Sequence, residues 1–187
     1  MEHQVDAQFD SQKIIYHPNW LKRWLADPFS VPPIYMEISP TGLCNHRCAL
    51  CAKEVMGFPN RSVPPEIMIR FIKELAELRK NDPDNLGVKS LMFGGEGEPT
   101  LYKPLAEIIS LANNHGIETA LTTNATGLSG NLLEQVLPHL KWIKASINAG
   151  KKESYTKIHE AEPDHWDIVW RNLAQAVEMR TKFGFLC

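Results

Sequence analysis

Ser39-Pro40-Thr41-Gly42-Leu43-Cys44-Asn45-His46-Arg47-Cys48-Ala49-Leu50-Cys51 follows directly on the short apolar run 34–38. Three of the chain's four cysteines fall in this stretch, at C-x3-C-x2-C spacing, and the fourth is Cys187. Disulfide frameworks spread their cysteines to staple distant loops, so a group this tight points to a metal site. Thiolates are the usual ligands of iron–sulfur clusters, and a cubane has more irons than three thiolates can cap. An open position at a metal is what lets a centre bind substrate. Two blander readings compete. Cys44, His46, Cys48 and Cys51 together would make a zinc site, but zinc takes a chelating pair, a long spacer and a second pair, and one short loop makes an awkward tetrahedron. Inert buried cysteines are the other reading, and the polar neighbours Asn45, His46 and Arg47 speak against it.

Outward from this loop the chain alternates between two patterns. Short apolar runs at 34–38, 88–93, 118–122 and 142–147 read as strands. Between and after them lie helical patterns. Pro64-Pro65 opens one with Ile67, Phe71, Leu75 and Leu78 on its apolar face. Pro104 opens the next, with Leu105, Ile108, Ile109 and Ala112 inward and a stop near Gly116. Ser129 caps a third with Leu132, Leu133, Val136 and Leu137 inside, and a fourth follows Asp164 with Val169, Leu173, Ala176 and Val177 inward. Residues 183–187 read as the start of a fifth strand. Upstream, Trp20, Leu21, Trp24 and Leu25 sit at helical spacing before Pro28, Pro32 and Pro33, so residues 1–33 are expected to form an N-terminal arm with a short helix. Strand followed by helix, repeated, means βαβ units and a parallel α/β sheet whose site lies at the strands' carboxyl ends. Alternation alone leaves open whether the sheet curls into a barrel.

Each of those ends carries a polar motif. The second strand runs into Phe93-Gly94-Gly95-Glu96-Gly97-Glu98-Pro99. Glycines admit close backbone approach, and carboxylates with free carbonyls accept hydrogen bonds from an ammonium group. A phosphate cradle would want a lysine instead. The third strand ends in Thr122-Thr123-Asn124-Ala125 and the fourth in Ser146-Ile147-Asn148-Ala149. Singly, such residues are loop or capping groups.

Composition narrows the field. The chain has 187 residues, 43% hydrophobic and 22% charged, with a formal net charge of −2. That charge offers no electrostatic footprint for nucleic acid. No run reaches the ~20 apolar residues of a membrane span, and the first thirty lack a signal-peptide pattern. A cytoplasmic location is the expectation.

The cysteine loop after the first strand, followed in order by the glycine–glutamate loop and the Thr-Asn and Ser-x-Asn-Ala segments, resembles the radical S-adenosylmethionine superfamily from about residue 34 onward. The resemblance implies a partial (β/α) barrel with outer helices, of which about four to five βα units are present in a core at 34–187. It implies a 4Fe–4S cluster on Cys44, Cys48 and Cys51, with S-adenosylmethionine as co-substrate. Leu50 would pack near the adenine. Gly95, Glu96, Gly97 and Glu98 would meet the methionine amino group, with Glu98-Pro99 as the closest match to the family's Gly-Gly-Glu-Pro motif. Ser146 and Asn148 would serve the ribose or the methionine carboxylate, and Thr123 and Asn124, in the Thr-Asn segment, would also belong to the cofactor site. His159 is a candidate for touching substrate, while Tyr155 and Ile158 read as packing. The implied activity is reductive cleavage to a 5′-deoxyadenosyl radical that takes hydrogen from a substrate, with electrons from a donor such as flavodoxin or ferredoxin. A non-catalytic iron–sulfur or zinc module is the alternative, and an α/β nucleotide-binding protein with incidental cysteines is another. Family barrels usually have six strands, so the sequence is expected to be truncated near strand five, and Cys187 is read as a core residue.

Overall fold

The computed structural model describes residues 13–185 and 187. Helix α1 (Pro18–Ala26) precedes four β/α units. Strand β1 (Tyr35–Ile38) leads through the cysteine loop to the short α2 (Ala52–Met56) and then to α3 (Pro65–Asn81). Strand β2 (Ser90–Phe93) is followed by α4 (Leu105–Asn114), β3 (Glu118–Thr123) by α5 (Gly130–Val136), and β4 (Leu140–Ala145) by α6 (Lys152–His159) and α7 (His165–Phe183). The strands pair in the order β1-β2-β3-β4, all parallel. This is the parallel α/β sheet that the alternating pattern implies, consistent with the partial (β/α) barrel that the resemblance adds.

Register explains which residues make the core. Ile38, Phe93, Leu121 and Ile143 lie side by side across the sheet. They face α3, α4 and α5 in the main apolar cluster, where Leu105, Ile108, Ile109 and Ala112 are fully buried. Period-2 alternation sends Glu37, Met92, Ala120 and Trp142 to the other face, joined by Thr122 and Lys144. Met92 and Ala120 are buried but lie outside the helix-side cluster. Ile108→Val removes one methyl group from a site with no exposed surface and is expected to cost about 1 kcal/mol. Urea unfolding would show it as a lower midpoint at unchanged slope.

Several sequence expectations shift. The buried face of α3 is Met68, Ile72 and Leu75, while Ile67 and Leu78 point to solvent. On α7 the buried residues are Val169, Asn172 and Ala176, Leu173 packs partly buried against the core, and Val177 is exposed. Strand β4 starts at Leu140 and ends before Ser146. The expected fifth strand does not form among the described residues: Phe183 is still helical, Gly184 caps α7 in the left-handed conformation at φ 68°, and Phe185 and Cys187 pack against the core outside any strand. Leu186 lies outside the described residues, as do residues 1–12 of the arm.

The described part of the arm packs at the strands' amino ends. Trp20 is buried and donates Nε1–H to Pro32 O at 3.2 Å, with the Lys89 ammonium 4.8 Å above its ring. Arg23 bridges Asp82 and Asp84 beyond the end of α3, and this pairing holds the Asp82 carboxyl well below the usual carboxylate range. None of these contacts of the described residues involves the opposite, carboxyl-end rim. No helix among the described residues is long and apolar enough to cross a membrane.

Candidate metal centre and cofactor site

The cysteine loop leaves the carboxyl end of β1 and enters α2 with Cys51 at the N-cap position. Its backbone is tied to the last turn of α6. Arg47 N donates to His159 O at 3.1 Å and Ala49 N to Ile158 O at 2.8 Å. A helix's final carbonyls lack intrahelical partners, so the end of α6 offers ready acceptors for a polar loop. Cys51 N donates to Cys48 O at 2.9 Å, which turns the x2 segment back on itself.

Cys44, Cys48 and Cys51 are free thiols, each partly buried. Burial pushes the Cys48 thiol up to about 11, and the charges of Cys44 and Cys51 add to the rise. Burial is also the main cause at Cys44, reinforced by Glu98 and Cys51 and opposed by the His46 N–H. The sulfurs thus repel one another as thiolates. Bound iron deprotonates a coordinating thiol outright and cancels that repulsion. This donor set therefore fits a cluster with three protein thiolates and one iron left for another ligand. Cys187 packs against the core, near Arg180.

The glycine–glutamate loop lies directly on the cysteine loop. A Cβ on Gly97 would come within 2.3 Å of Thr41 O and 2.5 Å of Leu43 O, so only glycine permits this contact. Gly95 adopts φ 96° with Ser39 against it. Glu98 N donates to Leu43 O at 2.7 Å and Glu96 N to Ser39 Oγ at 3.1 Å. Gly95 and Glu96 stand exposed on the rim.

Glu98 does not. Its side chain is only 3% exposed. Oε1 accepts from Thr123 Oγ1 at 2.5 Å, Thr100 Oγ1 at 2.7 Å and Thr100 N at 3.1 Å, while Oε2 accepts from Asn124 N at 2.6 Å. One carboxylate therefore joins the ends of β2 and β3. Asn124 extends the lattice, donating from Nδ2 to Asn45 Oδ1 at 2.8 Å in the cysteine loop. Asn45 Nδ2 donates in turn to Thr126 Oγ1 at 2.8 Å. Asn172 on α7, which no sequence motif marks, donates to Ala125 O at 2.9 Å and Thr126 O at 3.0 Å. It steadies a turn in which Ala125 is held at φ 62°.

Of the residues picked from sequence, the structure brings the three cysteines, Gly95, Glu96, Gly97, Glu98, Thr123 and Asn124 into one connected rim. Ser146 joins it through its backbone N, which donates to Thr123 O at 2.8 Å. Asn148 follows, exposed and at φ 50°. Leu50 stands 93% exposed at the loop tip, an apolar side chain available to a ring. Thr123 and Glu98 face inward, toward each other.

Behind the loop lies a group that motif reading does not assemble. His159 is fully buried and is not open to the rim. Its Nδ1 is 3.1 Å from Cys48 Sγ, and its Nε2–H donates to Ile147 O at 2.8 Å. His46, also buried, shares a 2.9 Å hydrogen bond between Nε2 and His165 Nδ1. The Tyr155 ring lies 4.4 Å from that of His159. Burial lowers His46 to about 4, with His165 and His159 adding repulsion. The unfolded chain therefore binds the extra proton between about pH 4 and 6.5, and stability rises with pH across that window. The contribution is complete above pH 6.5 and is lost as pH falls through 4. In the cluster-free protein, His46→Gln is expected to remove roughly 2 kcal/mol of the stability difference between pH 7 and pH 4. Urea midpoints at several pH values would show a flatter profile for the variant.

Comparison with known proteins agrees with this arrangement. The sequence model of the Radical SAM superfamily matches residues 38–186. The chain is 32% identical over 148 residues to an S-adenosylmethionine-dependent nucleotide dehydratase of Flammeovirga pacifica, covering 76% of this chain and 47% of that one. It is 33% identical over 146 residues to the GTP 3′,8-cyclase of Aquifex aeolicus, covering 75% of this chain and 39% of that one. It thus spans less than half the length of these relatives. In fold it resembles Streptococcus suis SuiB bound to its precursor peptide SuiA, with a TM-score of 0.61 at 20% identity, over 88% of this chain and 36% of that one. SuiB bound to S-adenosylmethionine gives 0.58 at 22%, over 83% and 34%. With its cysteine loop, glycine–glutamate loop and parallel sheet in the matched span, the chain belongs to the radical S-adenosylmethionine superfamily.

Proposed function

We propose that Cys44, Cys48 and Cys51 hold a 4Fe–4S cluster and that the rim around it binds S-adenosylmethionine to initiate a radical reaction. The observation that carries this is three free, partly buried thiols in one loop whose first residues, Ser39 to Leu43, pack directly against Gly95 and Gly97. When bound, the cluster and S-adenosylmethionine supply one-electron cleavage to a 5′-deoxyadenosyl radical that takes hydrogen from substrate. The protein supplies position and exclusion of side reactions. Gly95, Glu96 and Gly97 present carbonyls and a carboxylate to the methionine ammonium, Leu50 meets the adenine, and Ser146 and Asn148 reach the ribose or carboxylate. Thr123, Asn124 and Glu98 act as positioning residues, since their polar atoms bond one another and the cysteine loop.

The sheet face away from the helices, with Glu37, Thr122, Trp142 and Lys144, is where a substrate would lie. The relatives named above act on nucleotides by name, whereas SuiB binds a peptide. A low-potential carrier such as flavodoxin or ferredoxin in the cytoplasm would supply the electron. The core at 34–187 carries this site, and within the arm at 1–33 Trp20 and Arg23 brace its far end. Anaerobic reduction of the reconstituted chain with S-adenosylmethionine present should release methionine and 5′-deoxyadenosine. A chain that carries its cluster yet yields neither would be a non-catalytic iron–sulfur module instead.

A further inference from the structure

We propose that the cluster-free chain carries a second metal site, a zinc(II) site made by His46, Cys48 and His159, which shares the Cys48 sulfur with the cluster. Ligating atoms from these three residues already lie within 4.8 Å of one another. His46 and His159 are both buried.

The hydrogen bonds around the group are those of a metal site's outer shell. A histidine that ligates through one ring nitrogen donates the other N–H to a carbonyl or similar acceptor, which fixes its tautomer and aim. His159 donates Nε2–H to Ile147 O at 2.8 Å, which leaves Nδ1 with its lone pair 3.1 Å from Cys48 Sγ. His46 Nε2 bonds to His165 Nδ1 at 2.9 Å. The other ring nitrogen, His46 Nδ1, is buried without a hydrogen-bond partner, as is the hydroxyl of Tyr155, whose ring packs against both His46 and His159. A buried polar atom left unpaired costs about 1–3 kcal/mol, and a ligated ion would remove that cost at His46. Two imidazoles and one thiolate suit zinc, a borderline-soft cation that takes nitrogen and sulfur ligands in a tetrahedron.

The three ligands come from two places in the chain, the cysteine loop and the end of α6, and His165 at the start of α7 stands behind His46. The zinc set the sequence suggests, Cys44, His46, Cys48 and Cys51, uses one loop only. The set proposed here replaces two of those thiols with His159 and so escapes the crowded tetrahedron. On binding, Zn²⁺ displaces the Cys48 thiol proton to solvent and accepts lone pairs from Sγ and the two imidazole nitrogens; nothing is oxidised or reduced. A single sulfur cannot serve both centres fully, so zinc and the cluster are alternative states of the loop. Zinc would hold the loop on α6 until iron and sulfide displace it.

The test uses Cys44→Ala/Cys51→Ala, which retains only Cys48 in the loop. Anaerobic titration with Zn²⁺, and with Co²⁺ as the coloured probe, should show one ion per chain and a thiolate-to-cobalt charge-transfer band. Adding Cys48→Ala should abolish the band. Adding His159→Ala should abolish stoichiometric binding, and His165→Ala should weaken it about 10–100-fold while leaving the band in place. No stoichiometric ion, or a band that survives His159→Ala, would overturn the site. In the wild-type chain, zinc loaded first should lower the iron taken up on anaerobic reconstitution, and full loading with both metals would also overturn it. Iron and sulfide analysis of zinc-free wild type tests the cluster separately, so either assignment can fail while the other stands.

Discussion

Cys48→Ala is expected to abolish cluster assembly. Cys48 is the central ligand of the loop: its carbonyl accepts from Cys51 N, and its thiol feels both other sulfurs and His159. Two remaining thiolates would leave two of the cubane's irons without a protein ligand, where three normally anchor an open cluster. Iron and sulfide in the variant after anaerobic reconstitution should fall to background, while far-UV circular dichroism stays unchanged because the loop's backbone bonds to α6 do not involve the sulfur. Full loading in the variant would remove Cys48 from the ligand set.

Glu98→Ala is expected to destabilise the fold by roughly 4 kcal/mol, because it strips the acceptor from four donors in a nearly dry site. Glu98→Gln should rescue little. Oε1 and Oε2 both face donors, so an amide nitrogen in either position sets donor against donor. Both variants should also lower S-adenosylmethionine affinity and cluster loading together, since Glu98 anchors the end of β3 and its backbone N holds Leu43 in the cysteine loop. A carboxylate that contacted the methionine ammonium directly would behave differently: the Gln variant would keep its stability and cluster and lose affinity alone. Urea unfolding, iron analysis and calorimetry on the same samples separate the two.

How far the sequence discloses this molecule depends on the range of the interaction. The spacing of the three cysteines is local and can be read directly from the sequence. The face of α4 is legible because its apolar residues form a single stripe. Helix α3 carries Ile67, Met68, Ile69, Phe71, Ile72, Leu75 and Leu78, two overlapping stripes, and only tertiary packing selects Met68, Ile72 and Leu75. Helix α6 has no apolar stripe; its buried residues are Tyr155 and His159, so periodicity does not mark it. The fifth strand looks plausible from Phe183, Phe185 and Leu186, but Gly184 first closes α7 in a left-handed cap.

The same distinction holds for the site. Glycine and glutamate at the end of β2 are conspicuous in sequence, yet that Glu98 turns inward depends on Thr123 and Asn124, about 25 residues further on. The histidine group is less visible still. His46 meets His165 across 119 residues and Cys48 meets His159 across 111, and no spacing rule reaches that far. Asn172 holds the Ala125 turn from α7 for the same reason.

The proposed site is three thiolates holding a cluster whose remaining iron takes S-adenosylmethionine. Electron paramagnetic resonance of the anaerobically reconstituted, reduced wild-type chain, recorded with and without S-adenosylmethionine, tests it most directly. About four irons and four sulfides per chain are expected, with a reduced-cluster signal that changes when S-adenosylmethionine is added. A chain that takes up no iron, or a cluster signal indifferent to S-adenosylmethionine, would contradict it.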